Sequence, residues 1–202
     1  VKDSLLEKQF NLLDEDISFN TVKIGLLGSV SQIKTISRLI GEKNTLNVVV
    51  DPILISGTQE NMSSIKMVGV MKKYLFPKCT ILTPNLEELN LLSPGLSEKE
   101  AVSSLNCPWV LVTTSDSSKI DIEHRLYNKS NLIRRFKYKK LPAKFHGSGC
   151  TLSSAISALL AKGIAIEEAC DQGLAYTYQC LLNAKKLGKM QYHPIRTPYQ
   201  SK

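Results

Sequence analysis

The chain has 202 residues, of which 43% are apolar and 22% are charged, and its formal net charge is +8. This composition is that of an ordinary globular protein, and we expect residues 1–202 to form a single domain. No apolar run approaches the roughly 20 residues that a bilayer crossing needs, which argues against a membrane protein. The five cysteines form no C-x-x-C pair and are odd in number, so we expect neither a disulfide framework nor a zinc site, but a reducing cytoplasm.

Strand-like and helix-like patterns alternate through the first half of the chain. The apolar, strand-like runs are 21–29, 46–53, 79–85 and 108–114. The helical patterns are 31–41, 59–75 and 97–106, the last opened by the capping-box pair Ser97 and Glu100. Near-continuous apolar strands separated by single helices predict a three-layer α/β fold, with a mostly parallel central sheet flanked by helices.

The second half of the chain has a different order of predicted elements. Segments 123–128 and 132–140 resemble an antiparallel pair joined by the polar turn Lys129–Asn131. Two helices, 148–162 and about 166–187, then follow, separated at Gly163.

The densest basic run, "RRFKYKK" at 134–140, raises the question of nucleic-acid binding. Its alternation is typical of a strand with one solvated face, and lysines commonly protect exposed sheet edges. The other lysines are scattered and no nucleic-acid-binding motif is present, so we favour the edge strand and expect no nucleic-acid partner. The positive charge would still attract an anionic small molecule.

Polar residues follow the predicted parallel strands, where ligands of open α/β sheets bind. They are Gly28 and Ser29, Asp51, Asn85 with Glu88, and Thr113 to Asp116. Asp51 taken alone is as well explained by capping a turn. Asn85 and Glu88 suit either Mg²⁺ held partly through water or the N-terminus of a helix starting near Leu86, and the pattern does not choose between them.

The stretch "HGSGCT" at 146–151 is a glycine-rich turn that leads into a helix. Such a turn directs backbone N–H groups at one point and forms an anion hole suited to a phosphoryl group. Cys150 in the first helical turn is expected to have a lowered pKa, because the helix dipole stabilises its thiolate. It would then be a proton acceptor or a nucleophile, although a small packed cysteine explains the pattern too.

These motifs together resemble one family. "HGSGCTLSSAISALLAKG" is similar to the signature of hydroxymethylpyrimidine/phosphomethylpyrimidine kinases, which belong to the ribokinase-like superfamily. "VKIGLLGS", "VVVDPILIS", "TPNLEE", "PWVLVTT", "EHRLYN" and "KKLGKMQYHP" follow in the family's order, so the resemblance spans nearly the whole sequence. It implies a ribokinase-like fold, and transfer of the γ-phosphoryl group of ATP to a pyrimidine hydroxymethyl group and then to its monophosphate, with Mg²⁺.

The resemblance also implies roles for individual residues. Gly147, Ser148 and Gly149 would form the anion hole, and Cys150 would be the catalytic base. Asn85 and Glu88 would organise Mg²⁺, while Asp51, Thr113, Thr114 and Asn85 would lie around the nucleotide. Leu26, Ile53 and Cys150 would line the pyrimidine pocket. The family also suggests a cytoplasmic homodimer.

Two departures from the family pattern support a rival hypothesis. The family's first strand and its Gly/Ser-rich loop have no counterpart in the sequence, so we expect this N-terminal segment to be missing from it. "TTSDSSK" at 113–119 replaces a Lys-Gly-Gly-His-like turn, so Thr113 stands where a phosphate-binding lysine is expected, with Lys119 near in sequence. A non-catalytic binding module and a pyridoxal-type kinase are therefore the alternatives, the latter opposed by Cys150 in place of Asp.

Overall fold

A computed structural model describes residues 2–43, 46–53, 61–114 and 120–197. In these ranges the α-helices are α1 (Asp3–Asp16), α2 (Val30–Gly41), α3 (Asn61–Val70), α4 (Leu86–Leu92), α5 (Glu98–Ser104), α6 (Ser148–Ala161) and α7 (Ile166–Leu182). The strands are β1 (Thr21–Ile24), β2 (Asn47–Val50), β3 (Ile81–Leu82), β4 (Trp109–Val112), β5 (Asp121–Asn128) and β6 (Asn131–Lys139). A π-helical turn, Met71–Leu75, and a 3₁₀ turn, Phe76–Lys78, continue α3.

The strands form one six-stranded sheet in the order β1-β2-β3-β4-β5-β6. The first four strands are parallel, and β5 and β6 are added in antiparallel orientation. The carboxyl ends of β1 to β4 therefore meet at one edge of the sheet. The prediction of a mostly parallel central sheet is confirmed.

The two faces of the sheet carry separate apolar cores, as the alternation of side chains along β2 shows. Val48 and Val50 pack on the face covered by α2 and the segment after α3, with Ile33 among their neighbours in that core. Val49 packs on the opposite face, in a core with Ile156 of α6 and Leu174 of α7. Helices thus cover both faces, as the near-continuous apolar strands predicted.

The hairpin near the end of the sheet agrees with the sequence. Lys129 and Ser130 join β5 to β6, with φ angles of 44° and 68°. Two positive φ angles are the signature of the turns that favour tight hairpins. The strand β6 lies at one edge of the sheet, as the lysine-rich pattern predicted.

Several predicted boundaries were wrong. The strand-like run 21–29 pairs only as far as Ile24, because the chain leaves the sheet there and Ser29 becomes the N-cap of α2, accepting a hydrogen bond from the Gln32 amide. The runs 46–53, 79–85 and 108–114 are shortened in the same way at β2, β3 and β4. The last helix ends at Leu182 rather than near 187. Residues 59 and 60, predicted to begin a helix, lie outside the described residues.

Candidate active site

A cavity of about 480 Å³ opens at the carboxyl ends of the parallel strands. Its lining includes ten of the eleven residues predicted for the site: Asp51, Ile53, Asn85, Glu88, Thr113, Thr114, Gly147, Ser148, Gly149 and Cys150. Leu26 does not line the cavity, and its side chain is 58% exposed. The sheet therefore gathers segments far apart in sequence around one space of the size that small ligands occupy.

The glycine loop provides the cavity's backbone donors. Gly147 precedes α6 with a φ of 85°, a left-handed conformation that glycine adopts without strain, and no side chain caps the helix. The Thr151 amide is bonded to the Gly147 carbonyl at 3.0 Å and is the first amide in the helical pattern. The amides of Ser148, Gly149 and Cys150 precede it and have no acceptor within the helix. This arrangement suits an anion.

Cys150 and Asp51 form a polar group beneath this loop. Asp51 is 4% exposed and its Oδ2 accepts a hydrogen bond from Ser153 Oγ at 3.2 Å. The Cys150 thiol also interacts with the Asp51 carboxylate, and Lys23 Nζ lies 3.9 Å from Asp51 Oδ2. The carboxylate is thus held by side chains of β1 and α6, at the end of β2.

The prediction that Cys150 has a lowered pKa was wrong. Burial raises the pKa of the Cys150 thiol, and the neighbouring Asp51 carboxylate raises it further. Burial also raises the pKa of Asp51, against the opposing effects of Lys23, Cys150 and Ser153. The two groups therefore interact, and the protonation of one affects the pKa of the other.

Asn85 and Glu88 form a reciprocal capping box at the start of α4. Asn85 Oδ1 accepts from the Glu88 amide at 2.8 Å, and Glu88 Oε2 accepts from the Asn85 amide at 2.9 Å. Burial raises the pKa of Glu88 to about 7, and the nearby Asp51 and Glu87 carboxylates contribute. The helix-capping interpretation is therefore correct for both residues.

The donor set is compatible with Mg²⁺ in a limited sense. Within the described ranges, no group of three or more His, Cys, Asp or Glu residues is arranged around one metal position. Mg²⁺ is usually held by one or two carboxylates together with water and substrate phosphates. Asp51 and Glu88 supply two such carboxylates in the cavity, and a cation would relieve the repulsion that raises the pKa of Glu88.

Thr113 and Thr114 form the corner of the cavity after β4. The Thr113 amide donates to the Pro84 carbonyl at 2.9 Å, which ties this corner to the start of α4. The Thr114 amide donates to His124 Nδ1 at 3.2 Å. Burial, with help from Arg125, lowers the pKa of His124 to about 4, so the imidazole is a neutral acceptor near pH 7. Asp116 and Lys119, which follow this corner, lie outside the described residues.

The family model for phosphomethylpyrimidine kinase matches residues 1–196. The chain belongs to the phosphomethylpyrimidine kinase family. The resemblance found in the motifs is thereby confirmed over nearly the full length.

Two relatives illustrate this membership. The chain is 25% identical over 197 residues to a probable thiamine biosynthetic bifunctional enzyme of Oryza sativa subsp. japonica, covering 93% of this chain and 36% of that enzyme. It is 28% identical over 199 residues to the hydroxymethylpyrimidine/phosphomethylpyrimidine kinase of Mycobacterium bovis, covering 94% of this chain and 72% of that kinase. The chain thus spans little more than a third of the length of the rice enzyme.

A solved structure confirms the fold. The pyridoxal kinase of Bacillus subtilis, described as an ADP complex, superimposes with a TM-score of 0.88 at 23% identity, covering 98% of this chain and 78% of that chain. This likeness shows that the chain has the ribokinase-like fold.

The cavity and its surroundings also contain residues that the sequence did not predict for the site. Lys23 and Ser153 contact Asp51, and His124, Tyr138 and Tyr178 line the cavity. The rings of Tyr138 and Tyr178 lie 4.9 Å apart and provide an aromatic wall. Ser153 could have been found from sequence, since it is three residues after Cys150 on one helical face. The two tyrosines come together only through the packing of β6 on α7.

Proposed function

We propose that this chain transfers the γ-phosphoryl group of ATP to hydroxymethylpyrimidine, and then to its monophosphate, with Mg²⁺ as cofactor. The observation that carries the proposal is the uncapped start of α6. Three amides without helical acceptors and the Cys150–Asp51 pair face the same cavity there. The family membership supports the same activity.

In the proposed reaction the glycine loop binds the migrating phosphoryl group. The amides of Ser148, Gly149 and Cys150 would donate to its oxygens, and the positive end of the α6 dipole would stabilise the charge that spreads over them. Phosphoryl transfer needs mainly positioning and charge neutralisation, and a rigid loop held by Gly147 supplies both.

The Cys150–Asp51 pair would receive the proton of the attacking alcohol. As the acceptor oxygen bonds to the γ-phosphorus, the bond to the bridging oxygen of ADP breaks and the hydroxyl proton must leave. Cys150 is itself protonated in the resting pair, because burial and Asp51 raise its pKa. We infer that the thiol first passes its proton to Asp51 and then accepts the hydroxyl proton.

Glu88 would hold Mg²⁺ together with water and the nucleotide phosphates, and Asn85 would orient Glu88 through the capping box. Bound Mg²⁺ neutralises phosphate charge during transfer. Thr113, Thr114 and Asn85 would lie beside the nucleotide. Ile53 would contact the pyrimidine next to Cys150, with Leu26 contributing from outside the cavity.

A pyridoxal-type kinase is the second candidate. The observation that favours it is the likeness to the Bacillus subtilis pyridoxal kinase, joined by a 26% identity over 175 residues to a pyridoxine kinase of the same species. A non-catalytic family member is the third, supported by Thr113 in place of a lysine.

The purified 202-residue chain should be assayed for ADP release with ATP, Mg²⁺ and each acceptor in turn: hydroxymethylpyrimidine, its monophosphate and pyridoxal. The leading proposal predicts turnover of both pyrimidines and slower turnover of pyridoxal. Turnover of pyridoxal alone favours the second candidate. No turnover, together with no calorimetric heat at millimolar ATP, favours the non-catalytic one.

The assembly and location are further proposals taken from the family resemblance: a homodimer in the cytoplasm. Within the described residues, no helix has the length and apolar character to cross a membrane. Native mass spectrometry at micromolar concentration tests the dimer, and a monomeric mass contradicts it.

A further inference from the structure

Arg196 lies against the glycine loop from the C-terminal side of the chain. Its Nε donates to Thr151 Oγ1 at 3.2 Å, and Thr151 Oγ1 in turn donates to the Gly147 carbonyl at 2.8 Å. An Nη2 atom of Arg196 is 3.3 Å from the position that a β-carbon on Gly147 would take. The guanidinium group is therefore at the first turn of α6.

The backbone around Arg196 is anchored to α7. The Tyr176 hydroxyl donates to the Arg196 carbonyl at 2.5 Å, and the Ile195 amide donates to the Cys180 carbonyl at 3.1 Å. These two bonds hold the backbone at Ile195 and Arg196 on α7, and the contact with Thr151 holds the Arg196 side chain on α6. The guanidinium is thus positioned by the fold, although its side chain is exposed.

Within the described part of the chain, the charge of Arg196 is not balanced by an acid. Among the described residues, no carboxylate forms an ion pair with Arg196, whereas Lys23 is paired with Asp51. A cation next to the positive end of a helix is unfavourable by itself. An anion placed between the guanidinium and the loop amides would remove this repulsion.

Arg196 approaches Cys150 from outside the cavity. Both Arg196 and Lys23 act electrostatically on the Cys150 thiol, yet neither residue lines the cavity of about 480 Å³. With the transferring phosphoryl group on the loop amides, the acceptor oxygen lies opposite the leaving oxygen of ADP, because the two oxygens are in line across the phosphorus. A guanidinium beside the first turn of α6 is therefore within reach of an acceptor that carries a phosphate.

We propose that Arg196 binds the phosphate of an already phosphorylated acceptor and makes the enzyme prefer the monophosphate over the free alcohol. The inference rests on the proposed function, in which the same site acts on both. A guanidinium pairs with two phosphate oxygens at once, while the neutral alcohol offers it no charge. Arg196 is therefore a specificity-determining residue for the second transfer.

The test compares Arg196→Gln with a matched control, Arg38→Gln. Arg38 lies on α2, on the opposite face of the sheet, and is paired with Glu7 and Glu42. Steady-state kcat/KM is measured separately for hydroxymethylpyrimidine and its monophosphate at saturating ATP. A lost charged hydrogen bond predicts a fall of roughly 10- to 100-fold for the monophosphate in Arg196→Gln. The alcohol should change less than about 3-fold, and Arg38→Gln should leave both unchanged.

Arg196→Lys provides a second reading, since it keeps the charge without the planar fork and should recover part of the monophosphate rate. An equal loss on both acceptors in Arg196→Gln would overturn the proposal, because it would mean that the residue only supports the loop. An unchanged monophosphate rate would overturn it too.

Calorimetry without nucleotide separates this inference from the proposed function. If the wild-type chain phosphorylates neither acceptor, the proposed function fails. The assignment of Arg196 is then upheld if the wild type binds the monophosphate more tightly than the alcohol and Arg196→Gln loses that difference. It is overturned if the wild type binds both equally or if Arg196→Gln keeps the difference.

Discussion

Two helices begin at the rim of the same cavity, and they begin differently. At α4, the Asn85 and Glu88 side chains satisfy each other's backbone amides. At α6, Gly147 provides a turn without a side-chain cap, and the first amides are left for another partner. The capped helix start is complete within the protein, whereas the uncapped one needs an anion from outside. The two helix starts therefore differ in what the protein itself supplies, and we propose that only the α6 start binds a phosphoryl group.

The largest expected effect follows from removing Cys150, the proposed proton acceptor at the uncapped turn. Cys150→Ala should lower kcat by about 10²- to 10⁴-fold, the usual contribution of a general base. Nucleotide affinity should stay nearly unchanged, because the loop amides remain. Rapid-quench kinetics and calorimetry measure the two quantities, and Cys150→Ser keeps the volume of the side chain. An unchanged rate would remove Cys150 from the mechanism.

The Thr114 amide also lies at the cavity, but its hydrogen bond is already accepted by His124 within the protein. The pKa of His124 is lowered to about 4 in the fold, below its ordinary value of 6.5. The folded state therefore binds fewer protons at His124 than the unfolded state does. The contribution of neutral His124 to the free energy of unfolding is complete above pH 6.5 and is lost as the pH falls towards 4. At its largest it is on the order of 3 kcal/mol.

Urea unfolding between pH 8 and pH 4.5 measures this loss. His124→Gln keeps a hydrogen-bond acceptor without the titration, so its free energy of unfolding should fall less steeply with acid than that of the wild type. Parallel pH profiles for the two proteins would contradict the assignment.

Alanine substitutions at two glycines distinguish the effect of backbone strain from an effect on the site. Gly147 and Gly163 have φ angles of 85° and 79°, so alanine at either position should cost about 1–2 kcal/mol of stability. A β-carbon at Gly163 meets nothing within 4 Å, whereas one at Gly147 meets Arg196. Gly147→Ala should therefore lower kcat/KM by roughly 10-fold or more, the scale of one weakened charged contact, while Gly163→Ala should not. Equal activities in the two variants would argue against a functional loop.

The smallest expected effect concerns the capped turn. Asn85→Ala and Ser97→Ala each break a capping box and should each lower the free energy of unfolding by about 1 kcal/mol. Ser97 does not line the cavity, so only Asn85→Ala should raise the Mg²⁺ concentration needed for half-maximal activity. Chemical denaturation and Mg²⁺ titration of the activity distinguish the two variants. The same Mg²⁺ requirement in both would confine Asn85 to a structural role.

Local patterns predicted much of this molecule. The apolar runs predicted the four parallel strands, and "HGSGC" predicted a glycine-rich turn leading into a helix, because both depend on neighbouring residues. The strand ends were predicted too long because residues such as Leu26 continue the apolar pattern after the pairing stops at Ile24. Asp51, Asn85 and Thr113, which follow β2, β3 and β4, reached one cavity because the fold brings those strand ends together, whereas Ser29 after β1 caps α2 instead.

What could not be predicted depends on distant contacts. Ser153 meets Asp51 across 102 positions, and Arg196 meets Thr151 across 45. The sign of the pKa shift at Cys150 was missed for the same reason. The helix dipole is visible in the sequence, but burial and the approach of Asp51 are set by the tertiary fold.

Backbone amide NMR of the full chain tests the central claim most directly. ATP is titrated into ¹⁵N-labelled protein, and the amide shifts at the starts of α4 and α6 are compared. If the α6 start binds phosphate, the amides of Ser148, Gly149 and Cys150 shift far downfield, and those of Leu86, Glu87 and Glu88 shift little. If the α6 amides do not shift while other amides show saturable shifts, the α6 start is not the phosphate-binding site.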